Sequence, residues 1–385
     1  MAATWLPAMP PAVSLRIRHV DSLRAVAAGL VVWAHLVQAF APISGRDPAF
    51  LRPLDAWPEM LNVGRIGVTI FFAVSGFVIC RSFGGSRIGG ARRFVIRRCC
   101  RLYPAFWVSM LAGIPVLWLT GIPLSWAMFW ANLTMAPTAF DQRPILGVYW
   151  TLEIELIFYG LCLGLYLLRA IDKPLLLAAL SVLFAALPRI LRLCDHLAAT
   201  NLRPSPGQTI LALNLAVMFW GAVFRIVYDA TGGFRRGVFA NWGTAGLVIL
   251  TLALIDIPDP KIKWDLLGRH AGPLQARLSV FYAVVIFVLW VACLRIDNPA
   301  LTYLGVISYS LYLFHPVVMY PLEYAIGSSF WLGGLGIPLW FYLIVGASLS
   351  TWLAGITYRW IEHPAISLGK RWVSGGCLSA SPGAP

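Results

Sequence analysis

Long apolar runs, separated by short polar, basic or turn-forming segments, fill this chain from about residue 20 to residue 360. Most reach the ~17–25 residues that an α-helix needs to cross a bilayer. The pattern predicts ten spans, at 21–43, 62–81, 102–121, 146–168, 174–191, 209–228, 238–257, 276–294, 301–322 and 334–359. The fifth carries Pro188 near its end and is the weakest of them. From Ser125 the chain reads SWAMFWANLTMAPTAF, which is aromatic but short. It is expected to form an interfacial or re-entrant helix rather than an eleventh span. No internal repeat stands out and no Gly/Ser linker divides the chain. The expected fold is all-α, a polytopic transmembrane helical bundle. A segment over 1–19 precedes one membrane domain over 20–370, and a polar tail over 371–385 is expected to be disordered.

Composition agrees. Of 385 residues, 59% are hydrophobic and only 12% charged, about half the charge of an ordinary soluble domain. The net charge of +14 raises nucleic acid as a partner. No soluble basic domain exists to hold a polyanion, and membrane proteins concentrate Lys and Arg on cytoplasmic loops, so membrane lipids are the expected neighbours and nucleic acid is not. With the N-terminus inside, 17 Lys and Arg fall on inner loops and tails and 11 on outer ones. This bias places both termini in the cytoplasm, although the basic 189–208 loop, assigned outside, runs against it. The seven cysteines are odd in number and include no C-x-x-C pair, so they are expected as free thiols. No cleavable leader pattern precedes the first span, which is expected to target the protein by itself.

Candidate chemistry begins in the first span, LRAVAAGLVVWAHL. Arg24 and His35 are eleven residues apart. On a helix that is three turns plus about 20°, so both lie on one face about 16 Å apart. Arg24 either snorkels to lipid phosphate or serves a wet cavity. A midspan histidine either packs through hydrogen bonds or does general-base work near neutral pH. Ser75-Gly76 interrupts the second span and is read first as close helix packing. The segment RRFVIRRCCRLYP holds Arg92, Arg93, Arg97, Arg98 and Arg101 at a cytoplasmic helix entrance. These arginines anchor lipid headgroups or clamp a phosphorylated ligand, since guanidinium grips phosphate oxygens in pairs. With no Walker or Rossmann glycine pattern, nucleotide hydrolysis and NAD chemistry are not expected.

In WTLEIELIFY, Glu153 and Glu155 open the fourth span after Trp150. Two residues apart on a helix, they face different sides, so at most one shares a cavity with His35. Ser308, Tyr309, Tyr312 and His315 form a polar stripe before Pro316, which frees a carbonyl one turn upstream. That stripe is either structural or substrate-facing. Glu362 closes the last span in YRWIEHP and is expected to pair with arginines.

These stretches, in this order, resemble the acyltransferase-3 family of integral membrane O-acyltransferases, which modify glycans, exopolysaccharides, Nod factors and macrolides. The motifs are R-x10-H at 24–35, FFxxSGF at 71–77, RRxxRLYP at 97–104, WTLxxExxFY at 150–159, SYSLYLxH at 308–315 and YRxIExP at 358–364. His363 stands where the family usually has lysine. The resemblance implies a ten-helix core in a bacterial cytoplasmic membrane, with acyl-CoA, usually acetyl-CoA, as a cytoplasmic co-substrate and no permanently bound cofactor or metal. It implies His35 as the essential histidine, Arg24 as its partner, Arg98 and Arg101 (with Arg97 beside them) as donor-binding, Glu155 as the acidic position and Glu362 as the acid of the terminal motif. Trp150, Ser308, Tyr309 and His315 are the expected cavity residues, with Ser75 a further candidate. The implied acceptor is a saccharide or lipid-linked glycan, or else a secreted small glycoside or macrolide. Many relatives carry a fused periplasmic domain that completes transfer, so either direct transfer or a separate periplasmic partner is expected. A proton-coupled transporter or a non-catalytic polysaccharide-assembly protein would also use polar stripes and midspan carboxylates.

Overall fold

The computed structural model describes residues 17–44, 62–198, 204–233, 246, 250–251, 273–327 and 336–375. Its regular elements are helices: α1 (Arg18–Phe40), α2 (Val63–Ile79), α3 (Arg87–Leu119), α4 (Trp126–Leu133), α5 (Trp150–Leu167), α6 (Pro174–Ala198), α7 (Pro206–Ala230), α8 (Pro273–Val288), α9 (Pro299–Val306), α10 (Ser308–Gly327), α11 (Leu339–Thr357) and α12 (His363–Gly375). Six runs are by themselves long and apolar enough to cross a bilayer: α1, α3, α5, α6, α7 and the α11–α12 run. Nine of the ten predicted spans contain a described helix, and the run at 238–257 lies almost wholly outside the described residues, as do segment 1–16 and the tail from 376.

The boundaries differ where local chemistry overrides hydropathy. Ser86 caps α3 by accepting the Gly89 N–H at 3.3 Å, so α3 starts fifteen residues before the apolar run and takes in the arginine cluster. At about 1.5 Å per residue its 33 residues extend about 50 Å, well beyond a ~30 Å hydrocarbon core. The whole helix therefore does not fit within the apolar layer. The ninth span is broken at Ile307 into α9 and α10. The short aromatic stretch forms α4 of 8 residues, capped by Ser125. Buried Asn132 ties it to the following loop, accepting the Ile145 N–H at 2.9 Å and donating to the Arg143 carbonyl at 3.0 Å.

The chain divides into two compact units. The first holds 1–30, 57–84 and 157–305. Here α2 packs on α7 and α8, and α6 on α7. The α2–α7 contact is made at backbone distance: a Cβ on Gly76 would lie 1.8 Å from the Met218 carbonyl oxygen, and one on Gly221 would lie 2.3 Å from that of Ala73. That is the packing reading of Ser75-Gly76 in physical form. Phe77, Trp220, Phe224 and Phe287 fill the space beside it. At one end, Arg81 and Arg225 both bind Oδ2 of Asp229, at 2.7 and 2.8 Å. The second unit holds 31–56, 85–156 and 306–385. In it α10 packs against α3 and α11, and α12 lies along α3. A single turn of π-helix, Tyr358–Glu362, joins α11 to α12.

Candidate active site

The second unit is organised around the first two turns of α10. The Ile307 carbonyl receives the Leu311 N–H at 2.9 Å, which starts the helix at Ser308. Successive side chains then step round the axis by about 100° and meet different elements. The Tyr309 hydroxyl donates to the Leu102 carbonyl of α3 at 2.8 Å. The Ser310 hydroxyl donates to Oε2 of Glu362 at 2.7 Å. The Tyr312 hydroxyl lies 2.9 Å from the Val148 carbonyl and 2.8 Å from the Thr151 hydroxyl, at the start of α5. On α3, the Ser109 hydroxyl donates to the Leu313 carbonyl at 2.9 Å and lies 2.8 Å from the Tyr149 hydroxyl.

His315 reaches α1. Its Nε2 lies 3.1 Å from Nδ1 of His35, and the rings stack with centroids 5.0 Å apart. Its Nδ1 lies 3.3 Å from the Leu311 carbonyl. The Tyr312 carbonyl, which Pro316 leaves without a helical N–H, is also within hydrogen-bond reach of this ring. His315 is fully buried, whereas His35 keeps partial exposure. No ion pair to either ring occurs among the described residues.

Charged side chains gather nearly two turns back along α10, at Tyr309. Glu155, Arg101 and Glu362 all lie within electrostatic reach of the Tyr309 hydroxyl, and Glu155 also reaches Tyr312. Glu153 turns away and takes the Thr138 hydroxyl instead. The two carboxylates therefore face different partners, as their spacing requires. On α3, Arg98 and Arg101 are half-buried and Arg97 is exposed. The Arg98 guanidinium lies 5.5 Å above the Phe94 ring. Trp150 is half-buried at the first position of α5, and Ser308 is buried at the first position of α10.

Arg24 and Ser75 belong to the other unit. The Arg24 side chain is only 15% exposed and lies 3.7 Å from the Asp21 carboxylate, one turn earlier on α1. It is thus largely covered, unlike a freely snorkelling arginine. Two groups escaped sequence reasoning. Ser310 sits beside the expected polar stripe rather than on it. The His35–His315 pair joins residues 280 positions apart, with no periodic signal linking them. Among the described residues, no three His, Cys, Asp or Glu side chains converge as a metal site requires.

Residues 17–359 match a family described as an acyltransferase domain. Among curated proteins, the chain is 27% identical to "Nodulation protein 10" of Rhizobium leguminosarum bv. viciae, across 90% of this chain and 93% of that protein. It is 29% identical to "Exopolysaccharide production protein ExoZ" of Rhizobium meliloti (strain 1021), across 80% of this chain and 92% of the relative. A Staphylococcus aureus (strain COL) protein, provisionally named an O-acetyltransferase, is 26% identical across 80% of this chain and about half its own length (53%).

Proposed function

Since the chain belongs to the acyltransferase-3 family and is therefore an acyltransferase, we propose that it moves an acyl group, acetyl first, from cytoplasmic acyl-CoA to a hydroxyl of a cell-surface or lipid-linked saccharide. The names of the relatives, one a nodulation protein, one an exopolysaccharide production protein and one provisionally named an O-acetyltransferase, support a saccharide acceptor and an acetyl donor. The observation that carries the reading is His35: a partly accessible imidazole in the C-terminal half of an apolar helix, held from behind by a second, fully buried imidazole. Such a group is costly in a membrane unless it is used.

In this mechanism Nε2 of His35 takes the proton from the acceptor hydroxyl. The oxygen attacks the thioester carbonyl, the new ester C–O bond forms, and the C–S bond breaks. The CoA thiolate leaves with the proton that His35 returns. Arg98 and Arg101 hold the donor's phosphates at the cytoplasmic end of α3, where that helix outruns the hydrocarbon. Glu155 balances Arg101 beside Tyr309 and keeps its guanidinium oriented. Arg24, tied to Asp21, fixes the start of α1 and so the height of His35. The reading carries with it ten spans in a bacterial cytoplasmic membrane with both termini inside.

The test uses purified protein in nanodiscs, acetyl-CoA, and an oligosaccharide acceptor. Free CoA should accumulate, faster with acceptor, and His35→Ala should abolish it. No release by the wild type, or full release by the variant, overturns the enzyme reading in favour of a carrier or assembly protein.

A further inference from the structure

We propose that His315 is a positioning residue that sets the tautomer of His35, leaving Nε2 of His35 as the one unprotonated ring nitrogen free to act on substrate. The inference rests on the acyl-transfer reading above for its catalytic consequence, and on hydrogen-bond logic alone for its structural content.

A backbone carbonyl only accepts. Nδ1 of His315 faces the Leu311 carbonyl at 3.3 Å, so Nδ1 carries that ring's proton. In a neutral imidazole the other nitrogen is then an acceptor. Nε2 of His315 is 3.1 Å from Nδ1 of His35, and two acceptors would repel, so Nδ1 of His35 must donate. His35 also engages the Val31 carbonyl, one turn back on α1. A carbonyl accepts only, so this neighbour also calls for an N–H on the His35 ring. Both rings are neutral in this arrangement, because an imidazolium at this depth would need a carboxylate and none pairs with either ring among the described residues. The chain of roles ends at Nε2 of His35, which holds a lone pair and no proton. His35 is the ring that keeps partial exposure, while His315 has none. The outer ring thus meets substrate and the inner ring orients it, as the buried carboxylate does for the imidazole of a Ser-His-Asp triad.

The test pairs activity with spectroscopy. His315→Phe keeps an aromatic ring but removes the acceptor. His315→Gln offers a carbonyl oxygen near the position of Nε2. His315→Phe should lower kcat by up to about 10⁴-fold, the loss a wrong tautomer produces in such a triad, with KM for acetyl-CoA unchanged. His315→Gln should recover most of that loss. Nitrogen-15 NMR of histidine-labelled protein in nanodiscs should show His35 protonated at Nδ1 in the wild type, and a shift toward the Nε2–H form in His315→Phe. Retained kcat in His315→Phe, an Nε2–H form of His35 in the wild type, or the same tautomer in both proteins overturns the proposal. Absence of turnover in the wild type would instead count against acyl transfer, and the NMR result would still decide the pair.

Discussion

The hydroxyl of Ser310, fully buried, donates to Oε2 of Glu362 at 2.7 Å, and Glu362 is 1% exposed. A carboxylate this deep survives only while its oxygens are solvated by donors. The π-helical turn at Tyr358–Glu362 turns it inward toward α10. Ser310→Ala removes one charge-assisted bond, and a loss of about 1.5–3 kcal/mol is expected. Thermal unfolding in detergent measures it. Combining Ser310→Ala with Glu362→Gln should cost less than the two single losses together, because the interaction can be lost only once.

Gly76 and Gly29 predict opposite outcomes for the same change. A Cβ at Gly76 meets the Met218 carbonyl at 1.8 Å, and backbone cannot step aside as a flexible side chain can. Gly76→Ala should force α2 and α7 apart and sharply reduce folded yield on size-exclusion chromatography. Gly29 has nothing within 4 Å of its built Cβ. Gly29→Ala should be neutral or stabilising by up to about 1 kcal/mol through helix propensity.

The three neighbouring arginines of α3 should separate. Arg98 and Arg101 are half-buried and Arg97 is exposed. Arg98→Ala and Arg101→Ala should each raise KM for acetyl-CoA about tenfold or more, the effect of losing one charged hydrogen bond of about 1.5–3 kcal/mol. Arg97→Ala should change it by less than about threefold, as expected for an exposed charge. Equal effects at all three positions, read from CoA-release kinetics, would show a diffuse electrostatic field in place of a clamp.

Glu153 and Glu155 should divide stability from activity. Glu153 is engaged by Thr138 beside α4, away from α10. Glu153→Gln should therefore lower the unfolding temperature while the protein that remains folded retains its turnover. Glu155 lies near Tyr309 and Tyr312. Glu155→Gln should weaken donor binding and turnover with a smaller thermal effect.

Exposed native cysteines report orientation. Cys99 lies among the arginines of α3, and Cys194 lies near the end of α6. In single-cysteine variants, an impermeant thiol reagent should label Cys99 only in inverted vesicles and Cys194 only from the outside. The reverse pattern would overturn the cytoplasmic placement of the donor end.

Hydropathy by itself pointed to a helical, multi-pass membrane chain, because continuous apolar runs of about 17–25 residues satisfy their backbone in lipid as helices, whereas barrel strands are shorter and alternate in polarity. Apolar length marked where nine described helices fall, six of them long and apolar enough by themselves to cross a bilayer, and the ordered motifs identified the family, since each keeps its residues close in sequence. Helical spacing also separated Glu153 from Glu155 correctly, because i and i+2 cannot share a face. The arginine start of α3 was less legible: a hydropathy window stops where charge begins, while Ser86 and the helix-favouring arginines carry the helix on. Tertiary structure alone decided the partners. His315 meets His35 across 280 residues of chain. Ser310, one position off the expected stripe, reaches Glu362, and the α2–α7 contact requires glycine on both helices. These are relations between distant segments, set by helix rotation and close packing, and no local period encodes which buried donor will face which acceptor.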